Sequence, residues 1–198
     1  MKIGIISDTH GFYNSWLKAY NFYLHDVDII LHAGDVLNCS PGFNKITDEY
    51  EPGVLANFMN KMQVPIFFCR GDCDSDVDQK VLNYPMLSDF FYLVLDNLKI
   101  IMHHGEDPNN MTNYKSRLTP DEMYLYAKKM NVDFYILGRT HTPLIESKEK
   151  LIHINPGSPV ATVHNNSCPS IGILDTNKHL VQILSCNEKN QVLISYNY

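Results

Sequence analysis

The sequence predicts an α/β fold, and three observations carry that prediction. Apolar runs of strand length alternate with stretches of helical spacing through the first third of the chain. Later runs follow one another with turn residues between them, as antiparallel strands do. Aspartate, histidine and glycine gather just after several apolar runs, where open parallel sheets place their functional groups. So many strands in 198 residues predict one domain (residues 1–198) holding two packed sheets with helices outside.

Each element has its own reason. Lys2 to Ser7 is an apolar strand that leads through Gly11 into a helix over Ser15 to His25, with Trp16, Leu17, Tyr20 and Leu24 at helical spacing. Val27 to Ala33 is the second strand. A polar loop with Pro41, Gly42 and Pro52 precedes a helix over Gly53 to Met62, whose Val54, Leu55, Phe58 and Met62 share a face. Val64 to Arg70 is the third strand, and the β-α-β-α-β order implies a parallel sheet with right-handed crossovers. Phe90 to Leu95 and Leu98 to Met102, joined by Asp96-Asn97, form a hairpin. Asn109 to Ser116 is polar and reads as a loop. Thr119, Pro120 and Glu122 open a helix with a capping box that runs to Met130. Phe134 to Leu137, Leu151 to Ile154, Ser170 to Asp175, His179 to Ser185 and Gln191 to Tyr196 complete the strands.

Composition narrows the function. The net charge of -6 offers no basic footprint for a long nucleic acid, although a short phosphorylated substrate remains compatible if a metal supplies local positive charge. Five cysteines, none in a C-x-x-C pair, indicate neither a disulfide framework nor a zinc ribbon. No signal peptide and no run of about 20 apolar residues is present, so the expected compartment is the cytoplasm and no membrane partner is expected. Exposed edge strands permit a homo-oligomer.

The chemistry-bearing segments are Ser7-Asp8-Thr9-His10-Gly11, Gly34-Asp35-Val36, Gly71-Asp72-Cys73-Asp74, His103-His104-Gly105 and Gly138-Arg139-Thr140-His141. Asp8 and His10 alternate across Thr9, and in extended backbone they would face one way. Converging carboxylates repel unless a cation neutralises them. Carboxylate beside imidazole suits manganese, iron, zinc or similar ions better than calcium. His103 alternates with His104 and is expected to pack. Asp74 and Asp78 are expected to cap backbone amides, Cys69 to sit in the core, and Asn155-Pro156-Gly157-Ser158 to form a supporting turn.

These segments, in this order and with Asn155-Pro156-Gly157-Ser158, resemble the calcineurin-like metallophosphoesterases, and within them the small YfcE-type phosphodiesterases. The resemblance spans Met1 to about Asp175. It implies a four-layer α-β-β-α sandwich of two mixed sheets flanked by helices, and hydrolysis of small phosphodiesters at a divalent metal site, with manganese foremost. It implies a first metal on Asp8, His10, Asp35 and His141. A second would use Asp35 as a bridge, Asp72, His104 and position 139. It places catalytic roles on Asp35, Asp72 and His104, and the chemistry of a guanidinium adds Arg139 as a clamp on phosphoryl oxygens.

Two positions depart from the family pattern. Asp72 stands where the family has asparagine, and Arg139 where it has histidine. Arginine stays protonated and offers no lone pair. The expectation is that Arg139, held by Asp72, fills part of the second metal's space, leaving one firm site and a weak or absent second. An ion pair about 4 Å apart at an effective dielectric near 20 attracts by about 4 kcal/mol before desolvation. Cys73 takes a position that larger relatives give to a proton-donating histidine, which favours leaving groups needing little protonation. The alternative reading is a catalytically weakened, Vps29-like protein-binding scaffold.

Overall fold

The computed structural model describes residues 1–39, 46–86, 88–105, 119–161 and 167–198. In chain order these form β1 (Lys2–Ile6), α1 (Tyr13–Phe22), β2 (Ile29–His32), α2 (Pro52–Met59), β3 (Ile66–Phe68), α3 (Asp76–Val81), β4 (Phe90–Leu95) and β5 (Leu98–His103). There follow α4 (Pro120–Lys129), β6 (Phe134–Leu137), β7 (Leu144–Lys148), β8 (Leu151–Asn155), β9 (Ser170–Asp175), β10 (Leu180–Ser185) and β11 (Val192–Asn197). A single 3-10 turn, Leu24–Asp26, follows α1.

One sheet has the order β11-β10-β9-β1-β2-β3 and the other β4-β5-β6-β8-β7. β1, β2 and β3 are parallel, as the alternation with helices requires. The β4–β5 hairpin turns at Asp96 and Asn97, both at positive φ, which asparagine and aspartate tolerate best among side-chain-bearing residues.

Side-chain alternation sorts the apolar residues into layers. Ile3 and Ile5 of β1 and Leu31 of β2 point inward to meet Ile100, Met102, Phe134, Ile136 and Ile154 of the other sheet. The opposite face of the first sheet, including Ile30 and Phe68, packs under Trp16, Leu55 and Met59 of α1 and α2. The outer face of the second sheet, with Ile101, Tyr135 and Leu137, packs under Tyr124 and Ala127 of α4. The order helix, sheet, sheet, helix is therefore the expected four-layer sandwich.

Several boundaries differ from expectation. The first helix starts earlier and stops at Phe22, where the chain tightens into the 3-10 turn. β7 was not expected: it is an edge strand whose side chains are mostly exposed, so it carries no apolar alternation. α3 was also not expected, because none of its residues is buried and Ser75 and Asp78 alone mark its start with a reciprocal capping box. The α4 capping box between Thr119 and Glu122 is formed as expected. The polar stretch 109–116, Pro41, Gly42 and His164 lie outside the described residues.

None of the five cysteines is in a disulfide, and Cys69 is fully buried. Among the described residues, no helix is long and apolar enough to cross a membrane.

Candidate metal centre

The loops after β1, β2, β3, β5 and β6 meet at one end of the seam between the sheets. Asp8 and His10 follow β1, Asp35 follows β2, Asp72 and Cys73 follow β3, His104 follows β5, and Arg139 and His141 follow β6. Asp8 and His10 do not share a face through extended backbone. Both lie beyond the strand with φ of 57° and 46°, in the left-handed region. Asp35, Arg139 and His141 are left-handed too, at 59°, 70° and 55°. Side-chain-bearing residues rarely adopt this conformation, and it clusters at functional sites where surrounding structure enforces it. The enforcement is visible here: Asp8 N donates to Gly34 O at 3.0 Å, His10 N to Asp35 O at 3.0 Å and Gly11 N to Val36 O at 2.9 Å.

Glycines let these loops close. A Cβ on Gly71 would overlap the Asp35 carboxylate, and one on Gly138 would overlap Ser7 Oγ and approach His104 Nδ1 at 2.8 Å.

Both key imidazoles are oriented by main-chain carbonyls. His10 Nδ1 lies 2.7 Å from Asn38 O and His104 Nδ1 lies 2.7 Å from Ala33 O. A carbonyl only accepts, so each Nδ1 carries the proton and each Nε2 is turned inward, the arrangement that fixes a histidine for metal ligation. There His10 Nε2 is 3.7 Å from Asp8 Oδ1, 3.8 Å from Asp35 Oδ2 and 3.3 Å from His141 Nε2. His141 Nε2 is 3.1 Å from Asp8 Oδ1. His104 Nε2 is 3.2 Å from Asp35 Oδ2, 3.5 Å from Asp72 Oδ1 and 3.8 Å from Asp8 Oδ1.

Three donor groups result among the described residues, Asp8 with His10 and His141, Asp8 with Asp35 and His104, and His10 with Asp35 and Cys73; within each, the ligand atoms lie within 4.8 Å of one another. Asp8 Oδ1 and His104 Nε2 are buried without a hydrogen-bond partner. Buried polar atoms of this kind are costly unless something satisfies them, and a divalent cation among carboxylate oxygens and imidazole nitrogens does so. The residues fit a metal.

Electrostatics supports this reading. Burial pushes the Asp8 carboxyl up, but His104 and His141 outweigh it and the net shift is downward. Burial likewise opposes ionisation of Asp35, yet His104 and His10 hold it down to about 2. His104, 3.5 Å away, and Arg139 hold Asp72 well below the usual carboxylate range. His104 is raised well above the usual imidazole value; burial opposes its charge, and Asp35 and Asp8 overcome it. The negative pocket that favours a proton on His104 would equally favour a cation, and the two would compete.

The remaining expectations can be placed. Arg139 Nη2 lies 2.9 Å from Asp72 Oδ2. His103 is buried away from the site and stacks on Phe90 at 4.6 Å. Asp74 accepts from the backbone N–H of Asp35, Val36 and Gly71. Ser158 Oγ donates to Asp8 O at 2.8 Å, and Asn155 Nδ2 donates to Gly138 O at 2.8 Å, so the Asn-Pro-Gly-Ser turn supports the loops. Sequence reasoning gave no role to Ser7, whose hydroxyl donates to Asp8 Oδ2 at 2.5 Å, or to the Asn38 carbonyl that orients His10. Ser7 could have been noticed beside Asp8; a backbone acceptor leaves no trace in a sequence.

Residues 1–179 match the family model described as the calcineurin-like phosphoesterase superfamily domain. Phosphodiesterase YfcE of Escherichia coli is 26% identical over 193 residues, covering 96% of this chain and 95% of that protein. A phosphodiesterase of Methanocaldococcus jannaschii is 29% identical over 184 residues, covering 90% of this chain and 95% of its own. Among solved structures, YfcE from E. coli superposes with a TM-score of 0.77 at 24% identity over 99% of this chain and 98% of its own. Zinc-complexed Vps29 from Entamoeba histolytica gives 0.66 at 18% identity over 99% of this chain and 97% of its own. At those identities the superpositions speak for the fold.

Proposed function

The chain belongs to the calcineurin-like phosphoesterase superfamily, and from that premise we propose that it is a metal-dependent phosphodiesterase acting on small phosphodiesters. The single observation that carries the proposal is that His10 Nε2 lies 3.7 Å and 3.8 Å from carboxylate oxygens of Asp8 and Asp35 and 3.3 Å from His141 Nε2, which is itself 3.1 Å from Asp8 Oδ1. The named phosphodiesterases among its relatives support the substrate class.

The ion would be held by Asp8, His10, Asp35 and His141, and manganese suits their mixed oxygen and nitrogen donors, as do zinc and iron. When bound it would supply Lewis acidity to a phosphoryl oxygen and lower the pKa of water. In the overall reaction water adds to phosphorus, one ester P–O bond breaks, and the departing oxygen takes a proton.

The residues of the chain prepare this chemistry. Cys73 N donates to Asp35 Oδ1 at 2.9 Å, which turns Oδ2 toward the imidazoles. His104, fixed by Ala33 O, lies beside Asp35 and Asp72 and can hold a proton at Nε2. A thiol is a weaker acid than an imidazolium, so Cys73 at the rim favours substrates with good leaving groups. We place this activity in the cytoplasm and in a single domain, without a long nucleic acid or a membrane as partner.

The test is hydrolysis of bis-p-nitrophenyl phosphate by chelated protein given manganese. Turnover should appear with the ion and fall by about three decades or more in Asp8→Ala and Asp35→Ala, since a Lewis-acid ion contributes several kcal/mol and each 1.36 kcal/mol is tenfold. Turnover indifferent to metal or to both substitutions refutes the proposal.

A further inference from the structure

We infer that the Asp72–Arg139 ion pair stands in for a second divalent cation, so that each chain holds one metal ion and presents a fixed guanidinium beside it. This rests on the metal-dependent reading above and specifies how the other half of the cleft is built.

The second donor group, Asp8, Asp35 and His104, has three ligands within reach of one another. His10 and Cys73 border it on one side, and Asp72 and Arg139 border it as well. Asp72 turns one oxygen toward His104 Nε2 at 3.5 Å and the other toward Arg139 Nη2 at 2.9 Å. A guanidinium has five N–H donors and no lone pair, so it cannot ligate and it repels a cation.

Arg139 is held in this place. Its backbone N–H donates to Asp8 Oδ2 at 3.0 Å, and its φ is 70°, in the left-handed region. Its stem lies so close to Gly105 that a Cβ there would meet Arg139 Cδ at 3.1 Å. Gly105 adjoins His104, so the arginine stem passes beside the second donor group. The side chain is 12% exposed, which is low for an arginine at the surface.

Charge points the same way. Asp8, Asp35 and Asp72 are the carboxylates that face His104. Asp74 is buried nearby, but both its oxygens are taken by backbone amides. One divalent cation and one guanidinium match the three facing carboxylates charge for charge. A second divalent cation beside Arg139 would leave the cleft two charges in excess.

The guanidinium also has a use. Its planar fork can hold a carboxylate and a phosphoryl oxygen together, and arginine recognises phosphate well for that reason. Arg139 is thus a phosphate-positioning residue where a second Lewis acid would otherwise act.

The experiment counts manganese. Chelated protein is loaded with excess manganese, passed through a desalting column and measured by elemental analysis and by electron paramagnetic resonance. We expect one ion per chain with a mononuclear spectrum. The Asp72→Asn, Arg139→His double variant should gain a second ion and an exchange-coupled spectrum. Arg139→Gln on the manganese-loaded protein should weaken inorganic phosphate about tenfold by calorimetry, as loss of one charge-assisted bond predicts.

Two coupled ions in the unaltered protein overturn the inference and leave the proposed function intact. No bound ion at all sinks that function and this inference together. A double variant that folds yet still binds one ion, or a phosphate affinity unmoved in Arg139→Gln, overturns the roles given to the pair. The count on the unaltered protein decides the matter if the double variant does not fold.

Discussion

His10 and His141, 131 positions apart, bring their Nε2 atoms to 3.3 Å while Asp8 Oδ1 stands 3.7 Å from the first and 3.1 Å from the second. The Nδ1 of His10 is committed to a carbonyl, so its inward nitrogen is an acceptor when the ring is neutral. His141 Nε2 can donate into this group, and a shared cation would take the place of that proton.

Removing the metal should therefore cost stability. At 100 times its Kd, a cation that binds only the folded chain stabilises by about 2.7 kcal/mol. For a chain of this size about 1 kcal/mol moves Tm by roughly 2–4 °C. Adding manganese to chelated protein should raise Tm by about 5–10 °C in differential scanning calorimetry, and His10→Ala should lose most of the rise. A Tm blind to manganese, zinc and iron would contradict the shared-cation reading.

Asp74→Asn should loosen the anchor of Asp35. The Asp74 carboxylate accepts from Asp35 N and Gly71 N at 2.8 Å and from Val36 N at 2.7 Å. An amide turns one NH₂ face toward an N–H, leaving a buried donor unpaired at about 1–3 kcal/mol. Urea unfolding should register that loss, and manganese affinity should fall by about tenfold or more as the Asp35 loop shifts. Unchanged values in both would show that the loop is held by something else.

Gly138→Ala should damage the site without altering a ligand. The new methyl would overlap Ser7 Oγ, press on Ala33 O at 2.6 Å and reach His104 Nδ1 at 2.8 Å. Overpacking of this kind costs about 1–3 kcal/mol. The expected readouts are a lower urea midpoint and weaker metal binding than in a Gly53→Ala control, where a Cβ meets nothing within 4 Å. Equal behaviour of the two variants would refute the packing argument.

Stability should fall as pH drops from about 6.5 toward 4. Burial holds His153 down to about 4, its ring stacks on Tyr135 at 4.3 Å, and its Nε2 is buried without a partner. The folded chain resists a proton that the unfolded chain accepts below its ordinary pKa near 6.5, so the folded state loses ground through that window. The contribution is on the order of 2 kcal/mol. Burial holds His32 and His103 down to about 3, which adds in the same direction. His153→Phe keeps an aromatic stack and should flatten part of the slope in urea titrations run at successive pH values. A slope unchanged by the substitution would exclude His153 as a contributor.

Much of the fold was legible because burial leaves a pattern. Ile3 to Ile6, Ile100 to Met102 and Phe134 to Leu137 are apolar strands sealed inside the sandwich, and their residue types announce it. β7 and α3 lie at the surface, where periodicity is not enforced, so neither could be read from apolar spacing. The site residues were legible as Asp, His and Gly clusters after strands. Their route to one another was not, because it runs through left-handed backbone at Asp8, His10, Asp35, Arg139 and His141 that no alternation rule describes. The Asp72–Arg139 contact could be anticipated from the family positions the two residues take around one site, and it forms at 2.9 Å.

The donors come from both halves of the sandwich: Asp8, His10 and Asp35 from the six-stranded sheet, His104 and His141 from the five-stranded one. A bound ion is thus a rivet through the layers. Slippage of one half past the other by an ångström would withdraw several ligands at once. Inactivating substitutions are therefore to be sought in the apolar interface that sets this alignment, far from any charged group.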